Sequence, residues 1–259
     1  MVTAALLALA RRAAEAAGDL LLERFGGPTS GLAAKTSRTD LVSDADRASE
    51  DLILALLRAE RPEDAIVAEE GGAVEGTTGL RWLVDPLDGT INYLWGLPQW
   101  SVTIACLDRE GVLVGVVHDP CRSETFSAVR GDGAWLDGEP MRLEGPAPPL
   151  AEALIGTGFS YRAQERELQA RRLLRVLPRV RDVRRFGSAA LDLAWVAAGR
   201  LDGYYETALA PWDWAAGALV VREAGGIVVE LPPVGGLSPG LLAARPALVE
   251  PLRALLEDR

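Results

Sequence analysis

Two carboxylates three residues apart, Asp85 and Asp88, are followed at once by Gly89 and Thr90. Leu83 and Val84 before them are apolar, so the pair stands where a buried strand ends, and Pro86 is expected to stop the hydrogen-bonded ladder there. At such an exit the backbone can aim both carboxylates at one point. Gly89 lets the chain pass close to a bound group. The Gly89 and Thr90 amides, at the start of a helix or tight turn, would point outward as an anion site. Carboxylates beside anion-binding amides point to a metal ion together with phosphate. The plainer alternative is an Asp-rich turn between two strands.

Other acids share this placement. Glu69 and Glu70 follow the short apolar run 65–68, where the alternative is a solvated loop. Asp213 sits between Trp212 and Trp214 at an expected helix start, where it could be an N-cap. Ser43 and Asp46 form the S-x-x-D pattern of a capping box, and the alternative for Asp46 is a buried carboxylate that orients a catalytic hydroxyl. Oxygen-only ligands of this kind select hard cations, Mg²⁺ above all. Several carboxylates cannot be buried together without compensation, and cations bridging to a phosphate supply it. The chemistry this supports is direct attack of metal-activated water on phosphorus, with a second ion steadying the leaving oxygen. Nothing resembles a covalent nucleophile. The haloacid-dehalogenase phosphatases use D-x-D-G-T with a nucleophilic first Asp. The D-x-x-D-G-T here is one residue longer, which moves that Asp off the required face of the loop.

Composition narrows the field. The 259 residues suffice for one large domain or two small ones with a sizeable core. A net charge of −10 argues against a nucleic-acid surface and against acidic membranes. It also means that binding phosphate requires local positive charge, which metal ions can bring. Two cysteines, Cys106 and Cys121, suit a reducing compartment. No stretch has the length of a membrane span, and the N-terminal segment, interrupted by Arg11, Arg12, Glu15 and Asp19, reads as an amphipathic helix rather than a signal peptide. His118 is the only histidine, which leaves little material for zinc or histidine triads, so it reads as structural. Lys35 is the only lysine among the 27 basic residues, and the other 26 are arginines. Lys35 therefore stands out as a place where a compact ammonium is wanted.

The elements that must position these residues follow from periodicity. Helices are expected over 3–24, 44–60, 162–176, 186–198, 214–224 and 246–257, and strands over 65–68, 100–107, 113–117, 125–129, 134–135, 154–157, 182–185, 201–206 and 227–230. The segment 73–81 reads as a Gly/Thr-rich connection, and 137–150, with its prolines, as a boundary. The Arg- and Glu-rich helix 162–176 reads as a solvated face. The hairpin-like run 100–136 argues against a purely parallel sheet.

Segments 82–98 and 212–226, with Glu69 and Glu70 ahead of the first at the matching distance, resemble the two signatures of the inositol monophosphatase family. That family lies within the lithium-sensitive phosphatase group that includes fructose-1,6-bisphosphatase. Order and spacing agree from 35 to 226. The resemblance implies a layered α+β and α/β sandwich (αβαβα), with an N-terminal α+β half over 1–142, a C-terminal α/β half over 143–259 and the active site between them. It implies two to three Mg²⁺ ions per site. Glu69, Asp85 and the Leu87 carbonyl would hold one, Asp85, Asp88 and Asp213 a second, and Glu69 a looser third. It implies that Thr90, oriented by Asp46, helps activate the water alongside Glu69, and that the Gly89 and Thr90 amides hold the phosphate. Glu206 would meet a substrate hydroxyl, while Gly187, Ser188 and Ala189 line the ring with Arg185 nearby. Lys35 and Glu70 join the site as additional candidates. A homodimer, Li⁺ inhibition and a cytoplasmic setting come with the same resemblance.

The implied reaction is Mg²⁺-dependent hydrolysis of a small phosphate monoester, inositol 1-phosphate first. Histidinol phosphate, fructose 1,6-bisphosphate and 3′-phosphoadenosine 5′-phosphate are the alternatives. Thr90-Ile91-Asn92-Tyr93 favours inositol phosphate, because the nucleotide and histidinol-phosphate members more often carry Lys after the Thr. Two stretches depart from the family pattern: Tyr93-Leu94-Trp95-Gly96-Leu97, where relatives often have His or Phe, and Gly158-Phe159-Ser160-Tyr161. Some relatives also act through protein partners, so a regulatory binding role is the alternative of another class. The full acidic set favours the enzyme.

Overall fold

The structure is a computed structural model that describes residues 2–27, 31–34 and 41–257. In chain order the first elements are α1 (Val2–Arg24), β1 (Ala33–Ala34), β2 (Leu41–Val42), α2 (Asp44–Glu60), β3 (Ala65–Ala68), β4 (Gly72–Val74), β5 (Arg81–Asp88) and α3 (Thr90–Leu94). A meander follows: β6 (Ser101–Asp108), β7 (Gly111–Asp119), β8 (Glu124–Val129), β9 (Gly133–Leu136) and β10 (Glu139–Met141). The rest is β11 (Leu154–Thr157), α4 (Ala163–Val176), β12 (Asp182–Arg184), α5 (Ala189–Ala197), β13 (Gly203–Thr207), α6 (Pro211–Glu223), β14 (Ile227–Leu231), β15 (Gly240–Ala244) and α7 (Pro246–Glu257).

Besides a two-stranded β1-β2 ribbon, two larger sheets alternate with three helical layers. The larger sheet has the order β10-β9-β8-β7-β6-β5-β3-β4 and is antiparallel except where β3 pairs parallel with β5. The smaller has the order β12-β11-β13-β15-β14, with β11 parallel to both its neighbours and the rest antiparallel. The Leu6, Leu9, Ala10, Ala13, Ala17 and Leu21 stripe of α1 is buried, and α1 and α2 cover the outer face of the larger sheet. Helices α5 and α6 lie between the sheets, where α5 is apolar on nearly every side and almost wholly buried. Helices α4 and α7 pack on one another beyond the smaller sheet over a third core of Ile155, Val176, Leu242, Leu248 and Leu252. This is the layered sandwich that the resemblance implies.

Several local expectations are corrected. Strand β5 continues through Pro86 to Asp88, with a register shift between Asp85 and Asp88. A bulge, rather than a stop, absorbs the missing donor. The connection at 73–81 contains the edge strand β4, and the boundary at 137–150 contains β10. Strand β15 was not expected at all, yet it holds the smaller sheet together by pairing with both β13 and β14. Helix α6 starts at Pro211, so Asp213 is in its first turn and is not the N-cap. Helix α4 is not simply a solvated face: Glu165, Gln169 and Arg172 are buried against the smaller sheet. Apolar periodicity does not register a polar stripe that packs inward.

Candidate active site

The parallel pair β3/β5 sets the floor of a cavity of about 600 Å³. Both strands end there. The Glu69 amide donates to the Val84 carbonyl (3.2 Å), which places the residue after β3 beside Asp85 on β5. Carboxyl ends of parallel strands are where α/β sheets gather ligands. The bulge after Asp85 turns Leu87 inward, with its amide bonded to Asp85 Oδ1 (3.0 Å). Pro86 is anchored from α2, whose Ser49 hydroxyl donates to the Pro86 carbonyl (2.8 Å). Gly89 has φ +93, and a side chain there would meet the backbone of Gln99, Trp100 and Gly187. The helix α3 begins on that left-handed residue.

The acids sit close enough to repel. Burial pushes the Asp85 carboxyl well above the usual carboxylate range, and the neighbouring charges of Glu69, Asp88 and Asp213 push it further; the Glu69 carboxyl is within hydrogen-bonding reach of it. Burial raises Asp88 to about 6, although hydrogen bonds from Ser188, Ala190 and Ala189 pull part of the way back. Asp213 is raised well above its ordinary value by burial, then by Glu69 and Asp88. Like charges at such range need a shared proton or a cation between them. Among the described residues no group of three or more His, Cys, Asp or Glu side chains is drawn together closely enough to hold a metal ion as it stands. The set is an open group of oxygen donors around the cavity floor, of the type that hard divalent cations bind, and its raised carboxyls are what a cation would relieve.

Each acid is held by a different element. Asp88 reaches across to the N-terminus of α5. Its Oδ2 accepts from the Ser188 hydroxyl (2.5 Å) and the Ala190 amide (2.9 Å), and Oδ1 makes only a long contact to the Ala189 amide (3.3 Å). Oδ1 thus keeps acceptor capacity. Asp213 Oδ2 accepts from the Ala210 amide (2.7 Å) at the start of α6. The Thr103 hydroxyl donates to the Trp212 carbonyl (3.1 Å), tying that start to β6, where Thr103 stands opposite Asp85.

Thr90 and Asp46 meet as expected. The Thr90 hydroxyl lies 3.0 Å from both Asp46 Oδ1 and the Leu87 carbonyl. Asp46 Oδ2 accepts from the Ser43 amide (2.9 Å) and hydroxyl (2.6 Å), so Asp46 both completes the capping box of α2 and orients Thr90. One oxygen of the carboxylate thus serves the helix cap and the other holds the Thr90 hydroxyl.

On the opposite wall, Glu206 accepts from the Tyr204 hydroxyl (2.5 Å), and burial raises it to about 7. A side chain on Gly158 would sit 1.8 Å from Glu206 Oε2, so only glycine lets the β11 loop approach this closely. Arg185, Gly187, Ala189 and Glu70 also line the cavity. Ser188 is placed differently from the ring-lining expectation: it is fully buried and its hydroxyl serves Asp88 and caps α5. Lys35 lies outside the described residues. His118 is buried, bonded to Thr125 (2.9 Å), and lowered by burial. Sequence reasoning missed Tyr204 and Gln169, which have no local motif. It also did not foresee that the Asn92 amide would pin the Gln99 and Phe186 carbonyls (2.7 Å each). The signal for Asn92, a conformation-fixing amide inside the motif, was present but unassigned.

An αβαβα sandwich with acids gathered between its sheets defines a class, and comparison with known proteins gives the family. Residues 3–256 match the Inositol monophosphatase family, and the chain belongs to it. It is 40% identical to the Nus factor SuhB of Escherichia coli (strain K12), over 98% of this chain and 96% of that protein. It is 44% identical to an inositol-1-monophosphatase of Mesorhizobium japonicum, over 89% and 87%. The crystal structure of the extragenic suppressor protein suhB from Bartonella henselae superposes with a TM-score of 0.91 at 35% identity, covering 98% of this chain and 99% of that one.

Proposed function

We propose that this protein is a Mg²⁺-dependent phosphatase of small phosphate monoesters, with inositol 1-phosphate as the first substrate. The observation that carries the reading is the convergence of Glu69, Asp85, Asp88 and Asp213 on one cavity floor beside the Thr90–Asp46 pair. Glu69, Asp85 and the Leu87 carbonyl are assigned to one ion, Asp85, Asp88 and Asp213 to a second, and Glu69 to a looser third. When bound, the ions supply the positive charge that the acids lack and that the phosphate and attacking water need.

The chain's own groups do the rest. Asp46 fixes the Thr90 hydroxyl, which accepts a hydrogen bond from the attacking water and orients it, while the Glu69 carboxylate takes the water's proton. The Gly89 and Thr90 amides hold phosphate oxygens. Glu206, kept in place by Tyr204, meets a hydroxyl of the alcohol portion, whose ring lies against Gly187 and Ala189 with Arg185 at the rim. Lys35 and Glu70 are further candidates. The proposal includes the division into halves at 142/143, a homodimer, inhibition by Li⁺ and a cytoplasmic setting. On the last point the structure contributes only that no helix among the described residues is long and apolar enough to cross a membrane.

The test is phosphate release by the purified protein with Mg²⁺, and with Mg²⁺ plus Li⁺. The substrates are inositol 1-phosphate, histidinol phosphate, fructose 1,6-bisphosphate and 3′-phosphoadenosine 5′-phosphate. A kcat/KM preference for inositol 1-phosphate with Li⁺ inhibition supports the reading; no Mg²⁺-dependent release from any ester overturns it. The SuhB relatives are named Nus factors, so a Nus-factor role is the second reading. Asp88→Asn separates the two: turnover is lost, while any partner interaction persists.

A further inference from the structure

The wall of the cavity that faces the acids is built from two segments that are remote in sequence. One is the loop after β11, from which Phe159, Ser160 and Tyr161 line the cavity; the other is the end of β13, where Thr207 follows Glu206. They are joined by one buried side chain of α4. Gln169 Oε1 accepts from the Ser160 amide (2.9 Å), and Gln169 Nε2 donates to the Thr207 hydroxyl (2.9 Å). The orientation of the carboxamide is unambiguous, because a backbone amide can only donate. Arg166, one turn earlier on α4, takes the other backbone group of Ser160: its Nη1 donates to the Ser160 carbonyl (3.1 Å).

These ties hold parts that would otherwise drift. Ala208, directly after Thr207, has φ +68, a left-handed backbone that L-residues with a side chain rarely adopt. It persists because its flanks are fixed, at Thr207 by Gln169, at its own amide by the Pro239 carbonyl (2.9 Å), and at Ala210 by Asp213. On the loop side, Gly158 is packed so closely on Glu206 that any loop shift acts directly on that carboxylate. Asp85 and Asp88 take their hydrogen bonds on the other wall, from Leu87, Ser101, Ser188, Ala189 and Ala190, whereas Asp213 joins this network at Ala210.

We propose that Gln169 is a positioning residue for selectivity. By tying Ser160 to Thr207 it sets the gap between the β11 loop and Glu206, and hence the fit of the alcohol portion of the ester rather than of its phosphate. The substrate class this favours is a phosphate ester of a polyol ring, wide enough to touch both segments. The inference rests on the phosphatase reading of the cavity.

The experiment compares inositol 1-phosphate with p-nitrophenyl phosphate, which has no hydroxyl for Glu206, in wild type, Gln169→Leu and Gln169→Glu. Gln169→Leu keeps volume and helix propensity but loses both bonds. It lowers kcat/KM for inositol 1-phosphate about tenfold more than for p-nitrophenyl phosphate, chiefly through KM. Gln169→Glu can still accept from the Ser160 amide and from a rotated Thr207 hydroxyl, so it restores most of the selectivity. Equal losses on the two esters, or no loss on either, overturn the proposal.

Amide hydrogen exchange supplies a readout that needs no turnover. In Gln169→Leu, protection falls in 158–162 and 207–209 together; unchanged protection in either segment overturns the tie. If Gln169→Leu does not fold, Thr207→Val removes only the second bond and carries the same test. Wild-type protein that releases phosphate from neither ester sinks the phosphatase reading instead, while the exchange arm still decides whether Gln169 couples the two segments.

Discussion

The parallel strands β3 and β5 carry a buried carboxylate group at each end, and the two ends are built in opposite ways. At the start of β3, Asp64 is buried, but its oxygens are fully engaged: Arg61 donates twice (2.8 and 2.9 Å), Thr78 once (2.6 Å) and the buried Trp82 indole once (3.0 Å). Burial alone would raise Asp64, yet the bonds from Arg61, Thr78 and Trp82 outweigh it and hold the carboxyl below its ordinary value. At the other end, Glu69 and Asp85 face one another and two more acids, and Asp85 is driven upward. A buried acid whose lone pairs are taken by protein donors stabilises the fold. A buried acid left among its own kind is a standing cost that only a proton or a cation removes. The comparison therefore separates a structural end of the sheet from a functional one without appeal to motif.

Exchanging charge for shape at each end tests this. Asp85→Asn should have the largest effect. It removes several kcal/mol of transition-state stabilisation, about a thousandfold in kcat/KM with Mg²⁺ present. Its thermal stability without metal should be equal to or above that of the wild type, because a repelling buried charge is gone. Asp64→Ala should do the reverse. It strands the buried Trp82 N–H, leaves Arg61 without its carboxylate and costs about 3 kcal/mol, a Tm drop on the order of 10 °C, while kcat of the folded protein stays near wild type. Calorimetry and steady-state kinetics on both variants would read the pattern. A stability loss in metal-free Asp85→Asn comparable to that of Asp64→Ala would erase the distinction between the two ends.

The functional end was legible in the sequence because its logic is local. Asp85, Asp88, Gly89 and Thr90 lie within six residues of one strand exit, Glu69 follows an apolar strand that periodicity reveals, and Asp213 opens a helix that it also reveals. The Asp46–Thr90 contact spans 44 residues; the residues alone showed its two halves, and only the family resemblance implied their meeting. The spans of α2, β3, β11 and α7 were readable for the same local reason. The opposite wall was not. Glu165, Gln169 and Arg172 recur at helical spacing, but a polar stripe resembles a solvated face until a sheet is packed on it. Strand β15 is a short Gly-Leu-Leu-Ala-Ala run whose strand character comes from two partners, one of them more than 30 residues away. The family resemblance placed Ser188 at the cavity, whereas its hydroxyl is buried against Asp88 at the α5 N-terminus.

The smallest effect sharpens the same contrast through pH. Asp64 is depressed in the folded state, so its stabilisation is present above its unfolded pKa of about 3.9 and is lost as pH falls through its folded value. Asp88 is raised to about 6, so the metal-free folded protein binds its proton more tightly than the unfolded chain does. Its destabilisation is complete above about pH 6 and is relieved as pH falls from there toward about 4. Metal-free protein should therefore be more stable near pH 5 than at pH 7.5, by a Tm difference on the order of 5 °C, and should lose stability again below pH 4 as Asp64 protonates. Saturating Mg²⁺ should raise Tm most at pH 7.5, where the acids are ionised, and so flatten or invert the high-pH limb. Thermal melts across this range, with EDTA and with Mg²⁺, read both ends of β3/β5 in one experiment. A metal-free Tm that rises steadily from pH 5 to 7.5, with no greater Mg²⁺ shift at the higher pH, would mean that the acid floor carries no uncompensated charge.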